Sequence, residues 1–439
     1  MLEQSGKFHL LIGDKLKLLH TRITRLHKLS LTSAVAIYNK TCTQPTIISA
    51  SKDGSLVQSY LNGKGKLIAR LPRRRRYEDS EGEGHHGSVL SLNVSPCGKW
   101  VCTGGVDRQV GVWDATGGDD GNKQLQFLKS LSGFKDSISG LSFRLITPSS
   151  LFVSSLDRTI KIFSFPPNPP DLPAYVETLF GHQDQILDVT NLKSDIALSV
   201  GARDKTARYW KVVDESQLVF RGGGKSKIRD VIDGALDVDA QGMDVDNNET
   251  QIDKQKSSKS KFVEGSLEAC SMIDDNHFIT GGDSGTISLW NLGKKKPIFN
   301  FAVAHGVHLH ESETEGIIEQ PRSITSLACL PFSDVFASGS YDGYIKLWKI
   351  DSKLKSFEFL TQIEAKGFIN SLQILSPPRS QTNLSKDYDC NQIKSPEPIN
   401  GPIEVLVVAA TGQEPRLGRW QKLSNEHGKN SLVVSHFST

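Results

Sequence analysis

Short apolar runs, each ended by a small-residue turn, recur along most of the chain. VCTGGVDRQVGVWD, LFVSSLDRTIKIFSF, ALSVGARDKTARYWKV, FITGGDSGTISLWNL and VFASGSYDGYIKLWKI share one order: apolar strand, Gly/Ser/Ala turn, polar residue, then an aromatic ring. The pairs are Asp107/Trp113, Asp157/Phe163, Asp204/Trp210 and Asp342/Trp348, with Ser284 in place of the aspartate before Trp290. Each unit follows a further apolar run: SVLSLNV, SISGLSF, QILDVTN, SLEACSM or SITSLAC. Runs this short, bounded by turn residues, predict strands. A four-strand unit of this kind leaves an apolar face uncovered and must stack on its neighbours into a ring.

Two weaker units complete the count. Residues 34–71 give SAVAIY, TIISASKDG, SLVQSYL and KLIARL, with Asp53 in the turn and Ser59 in the aromatic slot. Residues 368–437 give FINSLQIL, EVLVVAA, RLGRW and SLVVSHF. The predicted fold class is therefore all-β, a single seven-bladed WD40 β-propeller over residues 34–439 behind an N-terminal segment, 1–33. Ring closure is open at this point, because both KLLHTRI near residue 20 and SLVVSHF could supply the outer strand of the last blade.

Within the last unit, RLGRW reads as the third strand, with Glu414 in the turn-aspartate slot. Arg419 then occupies the position held by Val112, Ile162, Tyr209, Leu289 and Leu347 elsewhere. A charge facing a sheet-to-sheet interface needs a partner. Arg419 is thus expected either to be ion-paired or to lie beside a bound ligand, and Gly418 leaves room for a close approach.

The turn chemistry explains the recurring polar residues. A turn aspartate can accept from backbone N–H groups and from a histidine of the preceding loop, which in turn reaches a Ser or Thr above the tryptophan. His85, Thr103, Asp107 and Trp113 fit that network, as do His182, Asp204 and Trp210, and Ser338, Asp342 and Trp348. These are structural rather than catalytic positions, and no acid–base or nucleophile set remains outside them. HGVHLHE (305–311) falls in an expected flexible loop with no fourth metal ligand, and GGGKSK (222–227) lacks phosphate-loop spacing. The reading is of a non-enzyme without cofactor or metal. None of the six cysteines forms a C-x-x-C pair, and no apolar run is long enough to span a bilayer, so no membrane partner is implied.

Charge adds only a local signal. The 439 residues are 37% hydrophobic and 23% charged with a net charge of +3, which implies no general affinity for polyanions. Insertions at about 221–263, 303–320 and 376–402 are polar enough to be mobile. Strand order places the aspartate turns and the blade-to-blade loops on one face. That face collects Arg73, Arg74, Arg75 and Arg76, then Arg108, Arg158, Arg203 and Lys205 from neighbouring blades, and Arg416 lies on the strand face opposite Arg419. A local basic stripe of this kind suits a phosphate backbone; a merely solvated turn face is the plain alternative.

YVETLFGHQDQILDV (175–189), ESQLVF (215–220), GFINSL (367–372), GQEPRLGRW (412–420) and LEQSGK (2–7) resemble the U3-specific 55 kDa WD40 proteins of the U3 small nucleolar ribonucleoprotein. The resemblance implies a non-catalytic, nucleolar protein. Its partners would be the box B/C region of U3 small nucleolar RNA, the core protein bound to the RNA's kink-turn, and other small-subunit processome proteins. It also implies a charged N-terminal tail with nuclear targeting signals ahead of the present residues. The other function class compatible with the same ring is a generic WD40 protein–protein scaffold.

Overall fold

Each repeat alternates apolar and small residues, so its sheet has two faces to bury, and the chain buries them sheet against sheet. The computed structural model describes residues 10–37, 45–61, 67–71, 73, 83–116, 125–145, 149–167, 169, 171–193, 195–222, 262, 264–312, 316–377, 403–418 and 421–439. Seven four-stranded antiparallel sheets form a propeller. Their first strands, which define blades 1 to 7, are Leu31–Ile37, Val89–Val94, Ile138–Phe143, Ile186–Asn191, Leu267–Met272, Ser326–Cys329 and Phe368–Leu375. Successive first strands adjoin one another, and blade 7 adjoins blade 1, so they line the central channel.

Among the described residues, the buried apolar side chains fall into seven clusters, one at each blade interface. Between blades 3 and 4, for example, Phe152, Ile160 and Ile162 meet Ile186, Val189 and Trp210. Burial of this kind contributes roughly 25 cal/mol per Å² and dominates the stability of a ring whose single sheets are marginal. No helix among the described residues is long and apolar enough to cross a membrane.

Both ends of the chain build blade 7. Its strands run Phe368–Leu375, Glu404–Gly412, Ser431–Ser438 and then Lys17–Thr24 from the N-terminal side. Ser431–Ser438 is thus the third strand and the N-terminal strand the outer one, with Lys17 opposite Ser438 and Thr24 opposite Leu432. His20 stacks on His436 with centroids 4.3 Å apart, and the Thr21 and Ser435 hydroxyls are 2.9 Å apart. Ahead of this strand, Ile12 is buried against blades 6 and 7, while the Ile12 and Gly13 N–H groups donate to the Asp334 carboxylate.

This corrects the placement of RLGRW as a third strand. Residues 413–430 connect the second and third strands instead. Pro415 has no N–H to offer a ladder, and Gly418 sits at φ +79°, so this stretch departs from strand geometry. Ser431–Ser438, nearly all buried, fits the site far better. Arg419 and Trp420 lie outside the described residues. The expected mobile insertion at 303–320 also differs: Val307–Ser312 pairs with Gly316–Pro321 as a two-stranded hairpin. Most of the insertions at 221–263 and 376–402 lies outside the described residues.

Candidate nucleic-acid interface

The turns between second and third strands all open on one end of the ring. In five blades the turn aspartate accepts from the backbone N–H two residues on: Ser55 to Asp53 at 2.8 Å, Gln109 to Asp107 at 3.4 Å, Thr159 to Asp157 and Thr206 to Asp204 at 3.0 Å, Tyr344 to Asp342 at 3.1 Å. Blade 5 uses a hydroxyl, with Thr286 N–H donating to Ser284 Oγ at 3.3 Å. This side-chain turn forces the next residue into the left-handed region.

That residue is glycine in blades 1, 5 and 6: Gly54 at φ +81°, Gly285 at +70° and Gly343 at +91°. In blades 2, 3 and 4 it is Arg108 at +63°, Arg158 at +72° and Lys205 at +53°. Three adjacent blades therefore hold a basic side chain where the backbone favours none, at a strain of about 1 kcal/mol each. Arg108 and Arg158 are exposed and Lys205 partly so. Arg203, also exposed, is fixed by its backbone N–H donating to Asp184 at 3.0 Å. In blade 1, exposed Arg73 lies over Gly54, where an added Cβ would come 2.9 Å from the Arg73 Cγ. The stripe thus runs from blade 1 to blade 4. Arg74, Arg75 and Arg76 lie outside the described residues.

Beneath the turns lie buried polar relays. In blade 2, His85 Nδ1 meets the Asp107 carboxylate at 3.0 Å, His85 Nε2 meets Thr103 Oγ1 at 2.7 Å, and Trp113 Nε1 donates to that hydroxyl at 2.9 Å. Blade 4 repeats this with His182 and Asp204 at 2.7 Å, His182 and Ser199 at 2.8 Å, and Trp210 to Ser199 at 2.8 Å. Burial would raise Asp204, but hydrogen bonding to His182 and Thr206 outweighs it and brings the carboxyl down to about 2. Burial likewise lowers His182, with Asp204 opposing. Both rings are buried and hydrogen-bonded under the turns, which is a structural arrangement.

Blade 6 holds a member that sequence reading missed. His305 Nδ1 meets Asp342 at 2.8 Å and His305 Nε2 meets Ser338 Oγ at 2.8 Å, with Trp348 Nε1 donating to Ser338 at 2.8 Å. HGVHLHE therefore begins in a relay, not in a free loop. The separation of 37 between His305 and Asp342 exceeds the 22 of blades 2 and 4 by 15, the length of Val307–Pro321. The hairpin is spliced in just after the histidine and disguised the spacing. His27, buried in blade 1, also went unnoticed; it contacts Ser49 Oγ at 2.9 Å and Ser55 Oγ at 3.1 Å. In blade 5 the chemistry inverts: buried Glu264 accepts from Ser284 Oγ at 2.8 Å, and burial pushes this carboxyl up to about 7.

Arg416 departs from the stripe. Its guanidinium turns inward and donates to the backbone carbonyls of Ser139 and Leu187, the latter at 3.0 Å. Arg416, expected on a strand face and among the RNA-binding candidates, lies instead in a connection and reaches into the channel mouth.

A ring of seven such sheets, with Asp-turn, Ser/Thr and Trp relays, defines a WD40-repeat β-propeller. The WD domain, G-beta repeat family matches residues 79–114 and 314–349. The chain is 31% identical over 395 residues to ribosomal RNA-processing protein 9 of Saccharomyces cerevisiae, covering 86% of this chain and 62% of that protein. An uncharacterized WD repeat-containing protein of Schizosaccharomyces pombe is 36% identical, covering 81% and 57%. The human U3 small nucleolar RNA-interacting protein 2 is 29% identical, covering 99% and 73%. The crystal structure of RRP9 WD40 repeats superposes with TM-score 0.70 at 27% identity, covering 96% of this chain and all of that one, and the structure of U3-55K with 0.68 at 28%, covering 94% and 98%. Its homologues are thus ribosomal RNA-processing protein 9 and the U3 snoRNP-associated WD40 proteins. It spans about three-fifths of the length of the two yeast relatives.

Proposed function

We propose that this chain is the non-catalytic, RNA-binding ring of a nucleolar U3 ribonucleoprotein and serves ribosomal RNA processing and small-subunit biogenesis. Its target is the box B/C region of U3 RNA in complex with the kink-turn-binding core protein, and through these it joins the small-subunit processome. The names of the relatives support the ribosome-biogenesis setting. The observation that carries RNA contact is the placing of Arg108, Arg158 and Lys205 at left-handed turn positions in consecutive blades. Strain held at a surface without a packing return points to a ligand. Together with Arg73 and Arg203, these cations suit phosphates on an irregular RNA, whose bases supply the sequence information.

The test is filter binding with the box B/C stem carrying its kink-turn protein, against an unrelated hairpin of equal length. The specific complex should be retained selectively, with affinity falling steeply as salt rises. Each basic residue removed should lower the log–log salt slope by about 1. Equal retention of both RNAs, or of neither, would overturn the reading and leave a protein scaffold in its place.

A further inference from the structure

First strands in six of the seven blades carry a register shift at their second or third residue: Thr32, Leu90, Ser139, Leu187, Glu268 and Asn370. A bulged residue is left unpaired by the ladder and needs another partner. Being near the start of first strands, these positions ring the channel mouth on the basic face. Ser139 and Leu187 are the bulge residues of blades 3 and 4, and Arg416 satisfies both of their carbonyls.

Blade 7 stands three places from blade 3 in one direction round the ring and three from blade 4 in the other. The segment bearing Arg416 therefore crosses the channel to reach them. Two carboxylates attract the guanidinium there. Asp188, next to the bulge of blade 4, accepts from the Val189 N–H at 3.0 Å and the Cys270 N–H at 3.1 Å. Glu268, the bulge residue of blade 5, accepts from Ser266 Oγ at 2.5 Å. Burial raises both carboxyls and lowers Arg416, and all three residues are partly buried. The near side is tied as well. Lys52 of blade 1 pairs with Glu414 at 3.2 Å and donates to Gly418 O at 2.7 Å, and Asn370 donates to Glu414 O at 3.1 Å.

We propose that the bulges of blades 3 to 5 form a guanidinium receptor in the channel wall, which Arg416 fills in cis, fixing Gln413–Gly418 as a strap across the basic face. Arg416 is then a positioning residue for the RNA surface, a role that rests on the RNA reading above; the receptor does not depend on it. Lysine is no substitute, since one ammonium lacks the planar fork that reaches two carbonyls from different blades.

The experiment compares Arg416→Ala, Arg416→Lys and Asp188→Asn/Glu268→Gln, all without RNA, by amide exchange of residues 413–418 and by thermal melting. Strap exchange should quicken by about tenfold or more in each, and the melting temperature of Arg416→Ala should fall by several degrees. Methylguanidine at millimolar concentration should restore both in Arg416→Ala and in neither the wild type nor an Arg416→Ala/Asp188→Asn/Glu268→Gln chain. Because Asp188 and Glu268, with Asp283 and Cys270 near them, lose the guanidinium that faces them, the Arg416→Ala deficit should also shrink as the pH falls and the two carboxyls, already raised by burial, protonate. Unchanged strap exchange, or no response to methylguanidine, overturns the receptor. Should Arg416→Ala fail to fold, strap exchange in Asp188→Asn/Glu268→Gln decides, because Arg416 is still present there. Wild-type box B/C affinity in a variant whose strap is loosened overturns the positioning role alone, and absence of RNA binding by the wild type overturns only the reading beneath it.

Discussion

At the residue scale, the left-handed turn positions set stability against binding. Arg108, Arg158 and Lys205 adopt the backbone that Gly54, Gly285 and Gly343 adopt in the other blades. Replacing Arg108 and Arg158 by glycine should relieve strain while losing two cations. Urea melts are expected to show the double variant unchanged or more stable by up to about 2 kcal/mol. The same protein should bind box B/C RNA at least tenfold more weakly. A loss of stability would mean that these arginines are there for the fold. The relays behave oppositely: Ser338→Ala leaves His305 Nε2 and Trp348 Nε1 without the hydroxyl they share, and should cost roughly 2 kcal/mol with RNA binding unaffected.

At the scale of elements, the ring separates what it needs from what it carries. Gly306 and Arg322 flank the hairpin Val307–Pro321 and already share a backbone hydrogen bond of 3.2 Å. Deleting the hairpin and joining its ends should preserve the His305 relay and leave the melting temperature within a few degrees. Truncating the chain through Thr24 should do the reverse. It removes Ile12 from the blade 6–7 interface and bares the edge of Ser431–Ser438, so the product is expected to melt much lower and to self-associate at higher concentration. Light scattering beside calorimetry would separate the two effects. These elements also mark how far the sequence could be read. Strand–turn–strand units announce themselves through local alternation and the Asp-to-Trp spacing, so the seven-fold architecture and the relays of blades 2 and 4 were visible. Closure was not, because Lys17–Thr24 meets Ser431–Ser438 from the far end of the chain and no local pattern records that pairing. His305 was hidden by an inserted hairpin, and the inward turn of Arg416 depends on bulges in three other blades. The basic stripe was legible as composition, but its backbone strain was not.

For the whole molecule, buried histidines and a buried carboxyl should pull stability in opposite directions over the same range of pH. Burial lowers His27 to about 4, and lowers His182 and His305 against the opposing pull of their aspartates. A histidine whose folded pKa lies below its unfolded value near 6.5 stays neutral in the ring but takes up a proton on unfolding. Its contribution is complete above about 6.5 and is lost as the pH falls toward the folded pKa. Glu264 works the other way. Burial holds it up at about 7, so the folded chain keeps a proton that the unfolded one has released. That contribution is complete below the unfolded value near 4.5 and is lost as the pH rises through 7. The aspartates Asp107, Asp204 and Asp342, held low by their histidines, matter only below about pH 4. The two windows overlap, so between about pH 4.5 and 6.5 Glu264 offsets part of the rise that the histidines produce, and urea melts should level off above pH 7. Glu264→Gln keeps the shape and hydrogen bonding of the protonated acid. Relative to wild type it should gain stability as the pH rises from 4.5 to 7, by up to about 3 kcal/mol, and hold that gain to pH 9. His27→Gln should flatten part of the histidine rise. If the difference between Glu264→Gln and wild type is the same at pH 5 and pH 8, Glu264 is already ionised in the folded ring and its hydrogen bonds from Ser284 outweigh burial.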